Sequence, residues 1–180
     1  MRVPENHIAL SSGGVFNIDT FKWQNVEIMD IAQSLAMTAR FRGHSREQYS
    51  VAQHCCHLHD YALMEGRGDE VALWALLHDA AETYIGDCPG FFKTGEHIDN
   101  EHYLLRLVSE RFGLCWPIPD YVFEIDKAIL NNEIAELFDI GAVPELDLVI
   151  EEWGWWNWRA AKVEFLRRFY ARTNMNETFS

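Results

Sequence analysis

The chain opens with a short alternating segment, then settles into apolar positions at helical spacing for the rest of its length. Residues 7–18 carry apolar ends around Ser11-Ser12-Gly13-Gly14, the pattern of a small β-hairpin with a glycine-containing turn. Asn25 offers an N-cap for a helix to about Arg40, with Val26, Met29, Leu35 and Ala36 in its apolar stripe. Phe41 to Tyr49 reads as a polar connection around Gly43. Ser50 then caps a helix through Met64, closed by Gly66 and Gly68, and Asp69 caps a third from Glu70 to about Thr83. A fourth helix is predicted from Glu96 to Phe112, stopped by Gly113, and a fifth from Pro119 or Asp120 through Phe138. A turn around Glu145 to Val149 and a last helix from about Trp158 to Thr173 complete the chain. The expectation is an all-α protein: one helical-bundle domain over 1–180, with its core at about 20–140, a small N-terminal β-hairpin and a Trp-rich helical extension at 145–175.

Composition narrows the role. With 28 acidic against 15 basic residues the formal charge is −13. Such a surface repels a nucleic-acid backbone or an anionic membrane, so no nucleic-acid and no membrane partner is expected. A small phosphorylated ligand remains compatible if local cations offset the field. Cys55, Cys56, Cys88 and Cys115 form no Cys-x-x-Cys pair, and a vicinal pair does not easily close a disulfide. Reduced thiols, no apolar leader and no membrane-length apolar run point to a cytoplasmic protein.

The sharpest chemical signal is His78-Asp79-Ala80-Ala81-Glu82-Thr83-Tyr84-Ile85-Gly86-Asp87, at the end of the apolar run Val71 to Leu77. A carboxylate buried beside a histidine needs a charge partner, and a metal ion supplies one. Glu82, four residues after His78 and three after Asp79, is placed on the same helical face. His54 and Asp126 are further candidate ligands, each within its own helical pattern. Four such residues from three helices would make a divalent-metal site suited to phosphoester hydrolysis.

The dipeptide alone is weak, because His59-Asp60 is a second copy without the acidic residues that follow the first. We read His59-Asp60 as a partly exposed helix face, with His57 and His59 as surface polar residues and Cys55 as a small core filler. Asp126, beside Lys127 in an amphipathic helix, gains meaning only from its pairing with the dyad. Two histidines and two carboxylates leave coordination positions open and suit Mn²⁺, Co²⁺, Fe²⁺ or Zn²⁺, with Mg²⁺ a further candidate.

These residues resemble the HD-domain metal-dependent phosphohydrolases, whose signature His … His-Asp … Asp reads here as His54, His78-Asp79 and Asp126. The stretch from His78 to Pro89 is similar to the bacterial 5′-deoxynucleotidase branch, in which Asp-Ala-x-Glu-x-x-x-Gly-Asp-x-Pro follows the dyad histidine. Ala39-Arg40-Phe41-Arg42-Gly43-His44, with Tyr49 to His54, is similar to short phage and bacterial members that include dATP triphosphohydrolases. The similarity spans roughly residues 10–140.

By this resemblance His54, His78, Asp79 and Asp126 are the metal ligands, and Glu82 orients or deprotonates the attacking water. Asp87 acts as general acid or binds the sugar. Arg40 matches a phosphate-contacting arginine, and Phe41 stands where the deoxynucleotidase branch has a tryptophan packed on the nucleoside. Arg42, His44 and Lys93 are further candidates for holding phosphate. The implied reaction cuts the bond between the 5′-oxygen and the α-phosphorus of a deoxynucleotide. The product is orthophosphate from a monophosphate, or triphosphate from a dATP-like substrate. A non-catalytic nucleotide-binding module and an HD-type iron oxygenase are the competing readings. The resemblance also implies a homo-oligomer, a dimer or higher, in a bacterial cell, with a phage-encoded source within its range. The segment Trp153-Gly154-Trp155-Trp156-Asn157-Trp158 reads as a core-closing or subunit contact more readily than as a base-stacking platform.

Overall fold

The hydroxyl of Ser50 accepts a hydrogen bond from the Gln53 amide and starts the helix around which the others assemble. The structure is a computed structural model that describes residues 5–141, 143–146 and 155–173. The helices are α1 (Ile28–Met37), α2 (Val51–Met64), α3 (Asp69–Leu77), α4 (Glu82–Ile85), α5 (Gly95–Phe112), α6 (Asp120–Leu137) and α7 (Trp158–Arg172). Every residue of α2 from Val51 to His59 is buried, and in α3 the run Ala72 to Leu77 is buried without a break. Helices buried along such runs sit at the centre of a bundle. Accordingly α2 packs on α3, α7, α1 and α6. Trp74, wholly enclosed, donates its indole N–H to the Cys115 carbonyl at 2.9 Å.

The hairpin forms as β1 (Ile8–Ala9) paired antiparallel with β2 (Val15–Phe16), in the register Ile8 opposite Phe16. Asp30, buried in α1, accepts from Ser11 Oγ at 2.6 Å, and from Ser12 N and Ser12 Oγ at 2.7 Å each. Phe16 packs against Phe21 and Tyr84 with ring centroids 5.0 Å away in both cases. The hairpin is thereby fixed both to α1 and to α4.

Three boundaries differ from the sequence expectation. Asn25 does not cap α1: its side chain accepts from the Lys22 amide and closes a 3₁₀ turn at Trp23–Asn25, and α1 begins at Ile28. Gly68 (φ 86°) stands at the cap of α3, and Asp69 becomes its first residue. The helix expected to reach Thr83 ends at Leu77. Amide bonds from Ala80 to Leu77 and from Glu82 to Asp79 tighten the chain into a 3₁₀-like turn before α4. Ala80 and Ala81 carry no helix-breaking signal, so nothing in the local pattern announces this turn.

Asn157 caps α7 by accepting from the Arg159 and Ala160 amides. Trp156 and Trp158 pack partly buried against the core, while Trp155 is exposed; Trp153, and the turn expected beyond Leu146, lie outside the described residues. Among the described residues no helix is long and apolar enough to cross a membrane.

Replacing Asp30 by Ala strands the hairpin donors. The loss is expected to be about 1–3 kcal/mol, read as a fall in melting temperature of several degrees, with α-helical circular dichroism unchanged.

Candidate metal centre

Each helix places its candidate ligand by a separate local device. Ser50 capping sets the start of α2, so His54 lies one turn in, on the face toward α3 and α6, with no exposed surface. The tight turn after Leu77 presents His78 and Asp79 together. Asp126, in the second turn of α6, reaches across to both imidazoles.

The distances are short. His54 Nε2 lies 3.4 Å from His78 Nε2, 3.1 Å from Asp126 Oδ1 and 3.7 Å from Asp79 Oδ2. His78 Nε2 lies 3.3 Å from Asp79 Oδ1 and 3.7 Å from Asp126 Oδ1. The far nitrogen of each ring is already used. His54 Nδ1 meets Glu133 Oε1 at 2.6 Å, and His78 Nδ1 meets the Ala75 carbonyl at 2.8 Å. Carboxylate and carbonyl oxygens accept, so both Nδ1 atoms donate, and both Nε2 atoms turn toward the same point. Ligands bonded to one cation at about 2.1 Å stand roughly 3.0–3.4 Å apart in octahedral or tetrahedral arrangements. Three of the five spacings fall in that range and the two at 3.7 Å lie just beyond it, and His54, His78 and Asp126 could hold a metal ion.

Electrostatics point the same way. Burial opposes charge on His78, but the carboxylate of Asp79 outweighs it and its pKa is raised well above the usual imidazole value. His54 is raised too: burial and the Arg40 charge oppose protonation, and Glu133 and Asp126 overcome them. Burial works against ionisation of Asp126 and Asp79, yet the two histidines hold both carboxylates below their ordinary range. The cluster favours positive charge between these side chains, which protons or a cation could supply.

Glu82 is the opposite case. Burial first, then the charges of Asp79 and Asp87, push its carboxyl up to about 9, and its Oε2 is buried without a hydrogen-bond partner. Cys55 brings a sulfur within reach of His78 and Asp79; burial lifts that thiol to about 12 and keeps it neutral.

A pocket of about 560 Å³ opens onto this centre. His78, Asp79 and Asp126 form one end, Lys93, Glu101 and His102 add polar groups, and Ile98, Leu105, Trp116, Ile118 and Phe123 are among its apolar walls. A larger groove of about 810 Å³ beside the hairpin has Glu27 and Lys162 as its charged residues and gathers no titratable cluster.

The other sequence candidates divide. Lys93 lines the pocket, ion-paired to Glu101 at 2.7 Å. Asp87 is near enough for its charge to raise Glu82. Arg40 adjoins the centre, with its guanidinium 2.9 Å from Glu133 Oε2 and 3.8 Å from Asp79 Oδ2. Phe41 meets Phe138 edge-on at 5.1 Å, and Arg42 and His44 are exposed; none of these three lines the pocket. Phe41 and Arg42 both adopt the left-handed region (φ 53°), a strained turn for two non-glycine residues.

His57 and His59, expected at the surface, are buried. The burial of α2 on all sides explains the correction. His59 Nδ1 pairs with Asp60, and His57 Nδ1 lies 2.9 Å from Tyr49 Oη. Sequence reasoning missed Glu133 entirely, although it lies seven residues after Asp126 and so shares its helical face. It also missed the pocket walls Trp116 and Phe123.

Uncharacterized protein YfdR of Escherichia coli K12 is 35% identical to this chain over 131 residues, 70% of this chain and 69% of that protein. An uncharacterized protein of Rhodobacter capsulatus is 35% identical over 111 residues, 58% of this chain and 57% of its own length. No family model matches the chain.

The Glu82 carboxyl gives a signed pH prediction. Its folded-state pKa, about 9, lies above the ordinary 4.5, so the stability tied to its proton is full below pH 4.5 and is lost as pH rises through about 9. In chelator-treated protein Glu82→Gln is therefore expected to match the native melting temperature near pH 4.5. It should exceed it at pH 8.5 by at least about 2 °C, the shift produced by roughly 1 kcal/mol in a chain of this length.

Proposed function

This chain belongs to the same family as Escherichia coli YfdR, and we propose that it is a metal-dependent phosphohydrolase of the HD type. The reaction removes one phosphate from a deoxynucleoside monophosphate. The observation that carries the reading is the pair of imidazole Nε2 atoms at 3.4 Å, flanked by the carboxylates of Asp79 and Asp126. The gathering of His54, His78 and Asp126 into one cluster, with Asp79 beside both histidines, supports the HD resemblance, because these residues are scattered over more than 70 positions of sequence.

His54, His78, Asp79 and Asp126 would hold the ion, with Mn²⁺, Co²⁺, Fe²⁺, Zn²⁺ and Mg²⁺ as candidates. Once bound, a divalent cation neutralises phosphate oxygens and acidifies water. Glu82 accepts the proton of the attacking water, in the ionised form that positive charge in the centre restores by offsetting Asp79 and Asp87. The proton taken up by Glu82 returns to the departing 5′-oxygen by way of Asp87, whose charge already acts on Glu82. Lys93 turns from Glu101 to a phosphate oxygen as a point charge. Trp116 and Phe123 offer flat apolar surface to the nucleoside.

The cation supply favours the monophosphate over the triphosphate. Arg40 is committed to Glu133, Arg46 bonds the Glu136 carbonyl, and Arg42 and His44 do not line the pocket. Lys93 is the one lysine or arginine among the pocket residues, set against Glu101, Asp79 and Asp126. A triphosphate tail needs more positive charge than that.

Incubation with deoxynucleoside mono- and triphosphates, each with Mn²⁺ or Co²⁺, is expected to release orthophosphate from monophosphates. Asp79→Ala should lower the rate by roughly 10³-fold or more, the several kcal/mol that a metal contributes. Full activity in Asp79→Ala would refute the site, and tripolyphosphate as the product would refute the monophosphate assignment.

A further inference from the structure

Behind the centre-facing edge of His54 lies a hydrogen-bond network anchored on one carboxylate. The Glu133 side chain has no exposed surface, and three donors, one of them the Arg40 guanidinium in an ion pair, converge on its two oxygens. Oε1 accepts two hydrogen bonds, from His54 Nδ1 at 2.6 Å and from Tyr49 Oη at 2.9 Å, and Oε2 accepts from Arg40 at 2.9 Å. Because Tyr49 gives its proton to Glu133, its oxygen accepts from His57 Nδ1. Arg40 also reaches toward Asp79 Oδ2 at 3.8 Å. One carboxylate thus touches a ligand on α2 and, through Arg40, lies one residue from a ligand beyond α3.

We propose that Glu133 is a positioning residue for the metal, fixing His54 as the Nδ1–H tautomer and raising the basicity of its Nε2. This rests on the metal reading above. An ionised acceptor on the far side of an imidazole does two things. It excludes the tautomer that would place a proton where the ion must sit, and it increases electron density at the ligating nitrogen. His78 has only the neutral Ala75 carbonyl in the corresponding place. The two histidines are therefore unequal, with His54 the stronger donor. The bond at 2.6 Å is shorter than the 2.8 Å bond of His78, as a charge-assisted contact should be. Burying a carboxylate for packing alone is unfavourable, since apolar side chains of the same volume serve as well.

Calorimetric titration with Zn²⁺ alone, on protein whose folding is verified by circular dichroism, separates this role from simple support. Glu133→Gln keeps an acceptor and loses the charge, whereas Glu133→Leu loses both. Their Zn²⁺ affinities are expected to fall about 10-fold and about 100-fold, the span typical of carboxylates behind metal-bound histidines. Tyr49→Phe removes another bond to the same Glu133 oxygen without touching His54. It should lower the melting temperature and leave the affinity within about 3-fold, well under the 10-fold effect. In the metal-free protein, histidine ¹⁵N–¹H correlation should report a proton held on His54 Nδ1 in the native chain and in Glu133→Gln, but exchange between the two ring nitrogens in Glu133→Leu. Native affinity in Glu133→Gln, or an equal loss in Tyr49→Phe, overturns the assignment while the metal reading stands. Failure of the native protein to bind Zn²⁺ overturns the metal reading itself. Should Glu133→Leu not fold, the Glu133→Gln and Tyr49→Phe affinities still decide.

Discussion

Two imidazole nitrogens, each with its ring turned by a hydrogen bond on the opposite side, face one another at 3.4 Å inside a protein core. With bare lone pairs they repel each other, and the carboxylates of Asp79 and Asp126 add negative charge to the same point. In a low-dielectric interior such an arrangement persists only if positive charge is held there, by protons or by a cation. The raised pKa values of His54 and His78 and the depressed ones of Asp79 and Asp126 are the proton version of that requirement. Much of the rest of the bundle can be understood as the frame that keeps these groups from separating. Ser50 fixes where α2 begins, the tight turn after Leu77 fixes the dyad, and the buried face of α6 brings Asp126 and Glu133 across.

This arrangement orders the roles of the neighbouring charges. Glu82, buried beside Asp79 and Asp87, keeps its proton until positive charge in the centre offsets the surrounding carboxylates. Arg40, despite its place beside the centre, is first a counter-ion for Glu133. The network runs on through Tyr49 to His57, whose imidazole burial drives down to about 4 and which meets Trp156 edge-on at 5.8 Å. Trp156 therefore packs against the far end of the same polar network.

Most of the fold was legible because it depends on local chemistry. Ser50, Gly66 and Gly113 each sit at a boundary that the sequence marks, and α2, α5, α6 and α7 fall where the apolar spacing places them. The hairpin turn was equally plain. The break after Leu77 was not, because it arises from how the dyad seats against α2 and α6 and not from any breaking residue. The four candidate ligands were legible as residues, through a motif, while the approach of His54, His78 and Asp126 to one another depends on tertiary packing. Glu133 left only a seven-residue spacing from Asp126, a signal that any amphipathic helix produces. The burial of His57 and His59 was hidden for a related reason: α2 is enclosed on every side, and polar residues on a helix ordinarily mark a solvated face. Trp116 and Phe123 reach the pocket from segments distant in sequence, so no pattern along the chain joins them to His78.

The most direct test is anomalous X-ray diffraction from crystals of the native chain grown with Mn²⁺, recorded at the manganese edge. The account predicts one strong peak within about 2.0–2.3 Å of the Nε2 atoms of both His54 and His78 and of an oxygen from each of Asp79 and Asp126. A peak elsewhere, or no peak among these four side chains at full Mn²⁺ occupancy conditions, would contradict it.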